Sequence, residues 1–257
     1  MNIYIIASCE KFYKLPQGVF QRKIFPENFS AGVDKRGGLP YNIKKSVEAF
    51  YMVKIVTVGR EFGSGGREIG KRLADAMGIA YYDKTLITEI AKKSDFSEGF
   101  VATILENGTM QRNFLSFGHT FSEYAYSSSG ITEKILAAQR EVIEKLAETD
   151  CVIVGRCADL ILSEQNPFRL FIYADEASKL ERCKKYEEQN GETLTDKQLL
   201  KKIRSVDKGR EKLYGLFYGK EWGNRENYDL CVNTSHADIP SIVPCIAQYV
   251  RKWYENK

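Results

Sequence analysis

From residue 53 onward, short apolar runs alternate with longer segments that have helical periodicity. Five of these runs are candidate strands, each rich in β-branched or aromatic side chains: 54–58, 79–82, 151–154, 170–173 and 228–232. Runs of this kind are typical of parallel strands that are buried on both faces of a sheet. Because they alternate with helical segments, the pattern predicts crossover units and therefore an α/β fold with a five-stranded parallel sheet.

The first predicted helix follows the first strand and carries Ile69, Leu73 and Met77 on one stripe. Gly78 comes next and is a suitable left-handed terminator for this helix. Gly70 lies on the same helix, where the lack of a side chain allows close packing on the sheet. We therefore expect this helix to lie directly against the strands.

A long insertion separates the second and third predicted strands. Its segment 96–130 is rich in Ser, Gly and aromatic residues and lacks clear periodicity. These features are equally compatible with a mobile substrate-binding segment and with an irregular surface excursion. A helix predicted over 132–148 follows, with Gln139 among the apolar residues of one stripe. A polar side chain in that position needs either a buried partner or a ligand.

The segment 195–224 begins with a Thr-Asp-Lys-Gln capping box and continues as a strongly basic helix. Lys201, Arg204 and Lys208 share one face of this helix. Charge runs of this kind are usually solvated faces. However, Gly209 lies in the middle of the helix, and glycines alternate with aromatic residues after it. This arrangement favours a lid that closes over a nucleotide.

The composition indicates a soluble globular protein. The chain has 257 residues, 43% of them apolar, and no apolar stretch approaches the roughly 20 residues that span a bilayer. The six cysteines contain no CxxC pair, so neither a disulfide framework nor a zinc site is predicted. We therefore expect a cytoplasmic protein with no membrane partner.

The net charge of +4 is unevenly distributed along the chain. Residues 1–51 hold eight Lys/Arg and four Asp/Glu, so the remaining residues carry 30 basic and 30 acidic side chains. Because residues 52–257 have no net charge, a general affinity for nucleic acid is not expected. Residues 1–51 also hold half of the prolines, and we interpret them as an N-terminal extension to a domain over 52–257. Since Met52 stands directly before the first strand, a functional protein that begins there is the alternative.

Glycines occupy positions 63, 65 and 66, where the first predicted strand meets the first helix. Glycine allows a tight turn close to a ligand, and the free N–H groups and positive dipole end of the following helix attract anions. The pattern therefore predicts a phosphate-binding loop, although a plain strand-to-helix turn has the same glycines. In the standard phosphate loop a Lys reaches the phosphates and a hydroxyl holds Mg²⁺. The matching positions here are Gly66 and Glu68.

Two further polar residues stand at the ends of predicted strands. Arg156 follows the third strand and Asp83 ends the second. Ligands of open α/β sheets bind at the carboxyl ends of the strands. Arg156 is therefore a candidate anion ligand, with a salt bridge to Asp159 as the alternative. Asp83 is a candidate substrate ligand, with capping of the next helix as the alternative.

Together these residues resemble the P-loop nucleoside monophosphate kinases, and specifically the cytidylate kinase-like family. The resemblance covers about 53–254 and rests on the loop over 60–70, on Tyr81-Tyr82-Asp83, on 152–159 and on the basic segment 204–210 with the residues that follow it. It implies a P-loop NTPase-type three-layer α/β/α fold with a five-stranded parallel sheet, a substrate-binding insertion over 96–130 and a lid over 195–224. It also implies ATP with Mg²⁺ as phosphate donor and a pyrimidine nucleoside monophosphate as the analogue of the acceptor.

We expect an ATP-dependent kinase that acts on a nucleotide or another small acceptor. The donor phosphates are assigned to Gly63, Ser64, Gly65, Gly66, Arg67 and Glu68. Within this set, Arg67 is the nearest substitute for the missing lysine and Glu68 is the candidate Mg²⁺ ligand. The acceptor is assigned to Asp83, Gln139 and Arg156, and the transferring group to Arg67, Arg204, Lys208 and Arg210.

Two other functions stay open. The first is a nucleotide-binding regulatory protein without catalysis, which the absence of the loop Lys and hydroxyl motivates. The second is a nucleic-acid module built on the basic helix, whose affinity would fall steeply with salt. The oligomeric state is also open, including a homo-oligomer.

Overall fold

The computed structural model describes residues 53–107, 121–189 and 194–257. The predicted N-terminal extension over 1–51 and the central part of the predicted insertion, 108–120, lie outside these ranges. Within the three described ranges, no helix is long and apolar enough to cross a membrane.

Five parallel strands form one sheet. They are β1 (Ile55–Arg60), β2 (Ala80–Tyr82), β3 (Cys151–Val154), β4 (Phe168–Tyr173) and β5 (Leu230–Asn233). Their order in the sheet is β2-β3-β1-β4-β5, with Val58 of β1 opposite Val154 of β3 and Leu170 of β4. The predicted five-stranded parallel sheet is confirmed, and each predicted strand matches an observed one to within about two residues at either end.

Helices connect and flank the strands. Those of the described ranges are α1 (Gly66–Met77), α2 (Thr85–Ser94), α3 (Glu98–Asn107), α4 (Phe121–Leu146), α5 (Ala158–Ile161), α6 (Glu176–Gln189), α7 (Asp196–Tyr218) and α8 (Ile239–Glu255). α1 ends at Gly78, which has a φ of +69°, as the sequence predicts.

The two faces of the sheet are covered by different helices, because neighbouring residues of a strand point to opposite sides. Val58 and Val154 face α1, and a Cβ on Gly70 of that helix would lie 2.6 Å from Cγ2 of Val154. Ile55 and Ile153 pack on the opposite face with buried residues of α2, α3 and α4. The predicted three layers are therefore present, and α8 packs beside α1.

Tyr254 of α8 closes the amino edge of the sheet. Its buried hydroxyl donates to Ile55 O at 2.7 Å and accepts from Ile55 N at 2.9 Å and from Phe168 N at 3.3 Å. One side chain thus satisfies backbone groups of two neighbouring strands. The opposite, carboxyl edge of the sheet carries the polar loops.

The described part of the predicted insertion is helical rather than irregular. α3 lies within it, and α4 begins at Phe121, well before the predicted start at 132. Val101, Ile104 and Leu105 form one buried stripe of α3. Tertiary packing of such a stripe stabilises a helix, and this stripe is the helical signal that the overall Ser and Gly content of 96–130 obscured.

Candidate active site

The glycine loop joins β1 to α1 at the carboxyl edge of the sheet. Gly63 and Gly65 have φ of +78° and +81°, in the left-handed region, and a Cβ on Gly65 would lie 2.3 Å from Cδ1 of Ile239. Gly65 is the N-cap of α1 and makes no side-chain cap. Since the first N–H groups of a helix have no partner inside it, the amino end of α1 is suited to bind an anion.

Neighbouring elements hold this loop in shape. Thr234 donates its hydroxyl proton to Ser64 O at 2.7 Å, and Ser64 Oγ donates to Glu61 O at 2.8 Å. From α7, Asp207 accepts a 2.7 Å hydrogen bond from the N–H of Phe62. The hydroxyl of the predicted phosphate ligand Ser64 is therefore engaged within the loop.

Arg210 reaches the loop from α7, where its Nη1 donates to Arg60 O at 2.9 Å and to Asp207 at 3.1 Å. Arg204 instead makes two hydrogen bonds to the carboxylate of Glu176, at 2.7 and 2.9 Å, on the exposed side of the helix. Lys208 is also exposed. Because a helix turns about 100° per residue, Lys208 and Arg210 are separated by a rotation of about 200° and point to nearly opposite sides of the helix. Of the three residues of α7 that were predicted to act on the transferring group, the structure brings only Arg210 to the loop.

Arg60, a residue that the sequence analysis did not single out, lies between the loop and the end of β3. Its side chain passes over Gly66, where an added Cβ would lie 2.5 Å from Cβ of Arg60. Its guanidinium lies against Gly155, where an added Cβ would lie 1.5 Å from Nη1. The side chain is 14% exposed. Gly66 and Gly155 thus leave the space that this arginine fills.

Arg60 belongs to a cluster of four arginines, whose other members are Arg67, Arg156 and Arg210. Burial, assisted by the charges of Arg210 and Arg156, lowers the pKa of Arg60 to about 9. Its guanidinium remains a cation at neutral pH. Cations held together in a poorly solvated place favour the arrival of an anion.

Asp83 is the carboxylate of this cluster and is buried. It forms a salt bridge with Arg67 and lies 4.0 Å from Nη2 of Arg60. The predicted substitute for the loop lysine, Arg67, is thus directed to Asp83, and its side chain is 52% exposed. The helix-capping alternative for Asp83 does not match the structure, since α2 has Lys84 as its N-cap and no side-chain cap.

The turn after β3 has an unusual backbone. Gly155, Arg156 and Cys157 have φ of +75°, +59° and +53°, and two of these residues carry side chains in the left-handed region. Strain of this kind is found at functional sites and needs support from the surroundings. Gln139 gives that support, because its buried Nε2 donates to Arg156 O at 3.1 Å. The predicted substrate ligand Gln139 therefore acts on the backbone of Arg156 rather than facing the open site.

The oxygen of the same amide, Gln139 Oε1, is buried and has no hydrogen-bond partner among the described residues. The arginine that the amide supports, Arg156, lines a cavity of about 50 Å³ between this turn, the end of β1 and α7. Asp159 lies in the same cavity and accepts a 2.7 Å hydrogen bond from the hydroxyl of Tyr214. Burial raises the pKa of Asp159 and also raises the pKa of Tyr214.

The residues around the loop fit a polyphosphate better than a protein-bound metal. Glu68, the predicted Mg²⁺ ligand, is exposed and forms a 2.7 Å salt bridge with Arg72. Within the ranges that the structure covers, no group of three or more His, Cys, Asp or Glu side chains could hold a metal ion. Mg²⁺ sites generally use one or two carboxylates, whereas the carboxylate of Asp83 is held by an arginine. We assign no protein ligand to a metal.

This chain is similar to several solved structures. An uncharacterized protein from Eubacterium ventriosum is 28% identical, with a TM-score of 0.55 over 77% of this chain and 98% of that one. A shikimate kinase from Acinetobacter baumannii in complex with shikimate is 16% identical, with a TM-score of 0.46 over 80% and 97% of the two chains. A gluconokinase from Sinorhizobium meliloti is 18% identical, with a TM-score of 0.41 over 80% and 95%.

A comparison with curated proteins found no match. The model of the cytidylate kinase-like family matches residues 55–236, which include the whole sheet, the glycine loop and the four arginines. This match covers most of the chain. The protein is therefore a member of the cytidylate kinase-like family.

Proposed function

We propose that this protein transfers a phosphoryl group from ATP to a nucleoside monophosphate or a related small acceptor. Membership of the cytidylate kinase-like family supports nucleotide-dependent phosphoryl transfer in general. The observation that carries the proposal is the convergence of four arginines, from four separate segments, near the uncapped amino end of α1. Phosphoryl transfer requires mainly that the phosphates are positioned and their charge is neutralised.

On the donor side, the loop contributes backbone N–H groups and the dipole of α1. Arg210 is well placed for the transferring group, because Asp207 and the carbonyl of Arg60 fix its guanidinium. A guanidinium fixed before the ligand arrives loses little freedom on binding a phosphate. α7 also contributes Tyr214 to the lining of the cavity next to Arg60.

On the acceptor side, Arg156 and Asp83 are suited to an anionic, hydroxyl-bearing molecule. Arg156 lines the cavity next to Arg60, and its strained backbone is supported by Gln139. Asp83 is held by Arg67 at the end of β2. Asp159 and Tyr214 add a buried carboxyl and a hydroxyl to the same cavity, and these groups are suited to hydrogen-bond a polar acceptor.

The test is an ADP-release assay with ATP, Mg²⁺ and a panel of nucleoside monophosphates. A reaction without acceptor measures background ATP hydrolysis. We expect one or more monophosphates to raise ADP release clearly above this background. If folded protein gives only background rates with every acceptor, the kinase proposal is wrong.

A second candidate function is nucleotide binding without transfer. Gly66 at the lysine position and the engagement of Glu68 by Arg72 favour it. Calorimetry with ATP and with a non-hydrolysable analogue separates the two proposals. Tight binding of both ligands without turnover supports a regulatory protein, whereas turnover with any acceptor excludes it.

A further inference from the structure

Compared with the standard phosphate-binding loop, this protein has a glycine and a basic residue at swapped positions. In the standard pattern G-x-x-x-x-G-K, the first glycine stands six positions before the lysine. When Gly66 is aligned with that lysine, Arg60 falls on the first glycine. The loop thus carries a charged side chain where the pattern has none, and no side chain where the pattern has a charge.

The structure gives a steric reason for this exchange. A Cβ on Gly66 would lie 2.5 Å from Cβ of Arg60, closer than real Cβ atoms come to such neighbours, and 3.0 Å from its Cγ. Arg60 and a side chain at position 66 therefore exclude each other. Gly66 has an ordinary backbone φ, so the close approach of Arg60 is what requires glycine there.

Arg60 also has the surroundings of an anion ligand. Its guanidinium is largely buried between the turn at Gly155 and the loop, and it lines the same cavity as Arg156 and Arg210. The nearby carboxylate of Asp83 is 4.0 Å away and is bound more closely to Arg67. Asp83 and Asp207 balance part of the charge of the four arginines, and a bound polyphosphate would balance more of it.

We propose that Arg60 is the phosphate-binding cation of this loop and takes the place of the absent lysine. The proposal rests on the proposed function and names the residue that holds the phosphates. Arg67, the nearest arginine in sequence, is less suited to this role, since it is half exposed and its guanidinium is held by Asp83. Arg60 enters from the strand side of the loop, next to the start of α1.

The test measures binding of inorganic tripolyphosphate by calorimetry, so that it does not depend on turnover. Arg60→Met keeps most of the aliphatic stem and removes the charge, and Arg60→Lys keeps the charge. We expect Arg60→Met to weaken binding roughly 10- to 100-fold, the range for a lost charge-assisted hydrogen bond, and Arg60→Lys to retain most of the affinity. Arg251→Met is the matched control. Arg251 lies on α8 and donates to Ala76 O at the carboxyl end of α1, far from the loop.

A reciprocal pair of variants tests the exchange itself. Gly66→Lys alone should weaken binding, because the new side chain collides with Arg60. Arg60→Gly should weaken it as well, through loss of the charge. The double variant, Arg60→Gly with Gly66→Lys, restores the standard pattern and should bind at least about 10-fold more tightly than Arg60→Gly alone. Thermal unfolding of each variant shows whether it is folded.

Each outcome decides the proposal. Arg60→Met that binds like the wild type, or a double variant no better than Arg60→Gly, overturns it while the kinase proposal stands. Wild-type protein that does not bind tripolyphosphate overturns the assignment of Arg60, and the ADP-release assay then decides the kinase proposal separately. Wild-type protein that binds it in the Arg60-dependent way described, but gives no turnover with any acceptor, supports Arg60 and defeats the kinase proposal.

Discussion

The carboxylate of Asp207 accepts a 2.7 Å hydrogen bond from the backbone N–H of Phe62, across 145 positions of the chain. The same carboxylate lies 3.1 Å from Nη1 of Arg210 and 3.6 Å from Nζ of Lys179. Burial raises the pKa of Asp207, and these three partners act in the opposite direction by favouring its charged form. Asp207 thus fastens α7 to the glycine loop and at the same time orients Arg210.

Asp207→Ala should destabilise the protein and loosen the loop. The change leaves the N–H of Phe62 without its acceptor, which typically costs about 1–3 kcal/mol for a buried donor. Urea unfolding measures this difference. Glu211→Ala, at an exposed position of the same helix, is the control and should change the free energy of unfolding by less than about 0.5 kcal/mol. Equal effects of the two variants would contradict the role of Asp207.

Arg210→Met should lower kcat/KM for phosphoryl transfer roughly 100- to 1000-fold, as expected when a fixed donor to developing charge is removed. Lys208→Met should have an effect of less than about threefold, because Lys208 is exposed and points about 200° away. The ADP-release assay compares the two variants. Similar losses for both would mean that α7 rotates or unwinds during the reaction.

The contrast between these two residues shows what the sequence could predict about α7. The apolar stripe Leu199, Ile203, Leu213 is buried, and Arg210 lies on its continuation, whereas Lys208 does not. That apolar stripe indicates which face of α7 points toward the protein and therefore which arginine can reach the loop. The grouping of Lys201, Arg204 and Lys208 by charge selected the solvated face instead.

The strands were predicted well because their signal is local. Every residue of β3 is apolar and fully buried, so composition alone identifies it. The role of Arg60 depends on space left by Gly66 and Gly155, which are far apart in sequence. No local pattern shows that Gly66 and Gly155 lie on either side of Arg60. The spacing of the standard loop motif, which puts Arg60 at the first glycine, was a signal that the sequence analysis did not use.

Asp159 should make stability depend on pH. Burial raises its pKa in the folded state above the ordinary value of 3.8. Between these two values the folded state binds more protons than the unfolded state, so the free energy of unfolding falls as pH rises through this window. Asp159→Asn keeps an acceptor for the hydroxyl of Tyr214 and removes the titration.

We therefore expect the stability of the wild type, relative to Asp159→Asn, to decrease as pH rises from the ordinary pKa of 3.8 through the raised pKa of the folded state. Urea unfolding at several pH values measures both proteins. A difference between them that stays constant with pH would mean that the pKa of Asp159 is the same in both states. A difference that grows in favour of the wild type would mean that its folded pKa is lowered.

Tyr254→Phe should destabilise the amino edge of the sheet without affecting the phosphate site at the other edge. The hydroxyl serves three backbone groups, Ile55 N, Ile55 O and Phe168 N, and all lie in the buried interior. Its loss leaves these groups without that partner, which should cost about 1–3 kcal/mol. Hydrogen exchange at the amide of Ile55 should accelerate, and tripolyphosphate affinity should stay within about twofold of the wild type.

Tyr249→Phe, at an exposed position of α8, is the control. A matching loss of phosphate affinity in Tyr254→Phe would mean that the two edges of the sheet are coupled through β1.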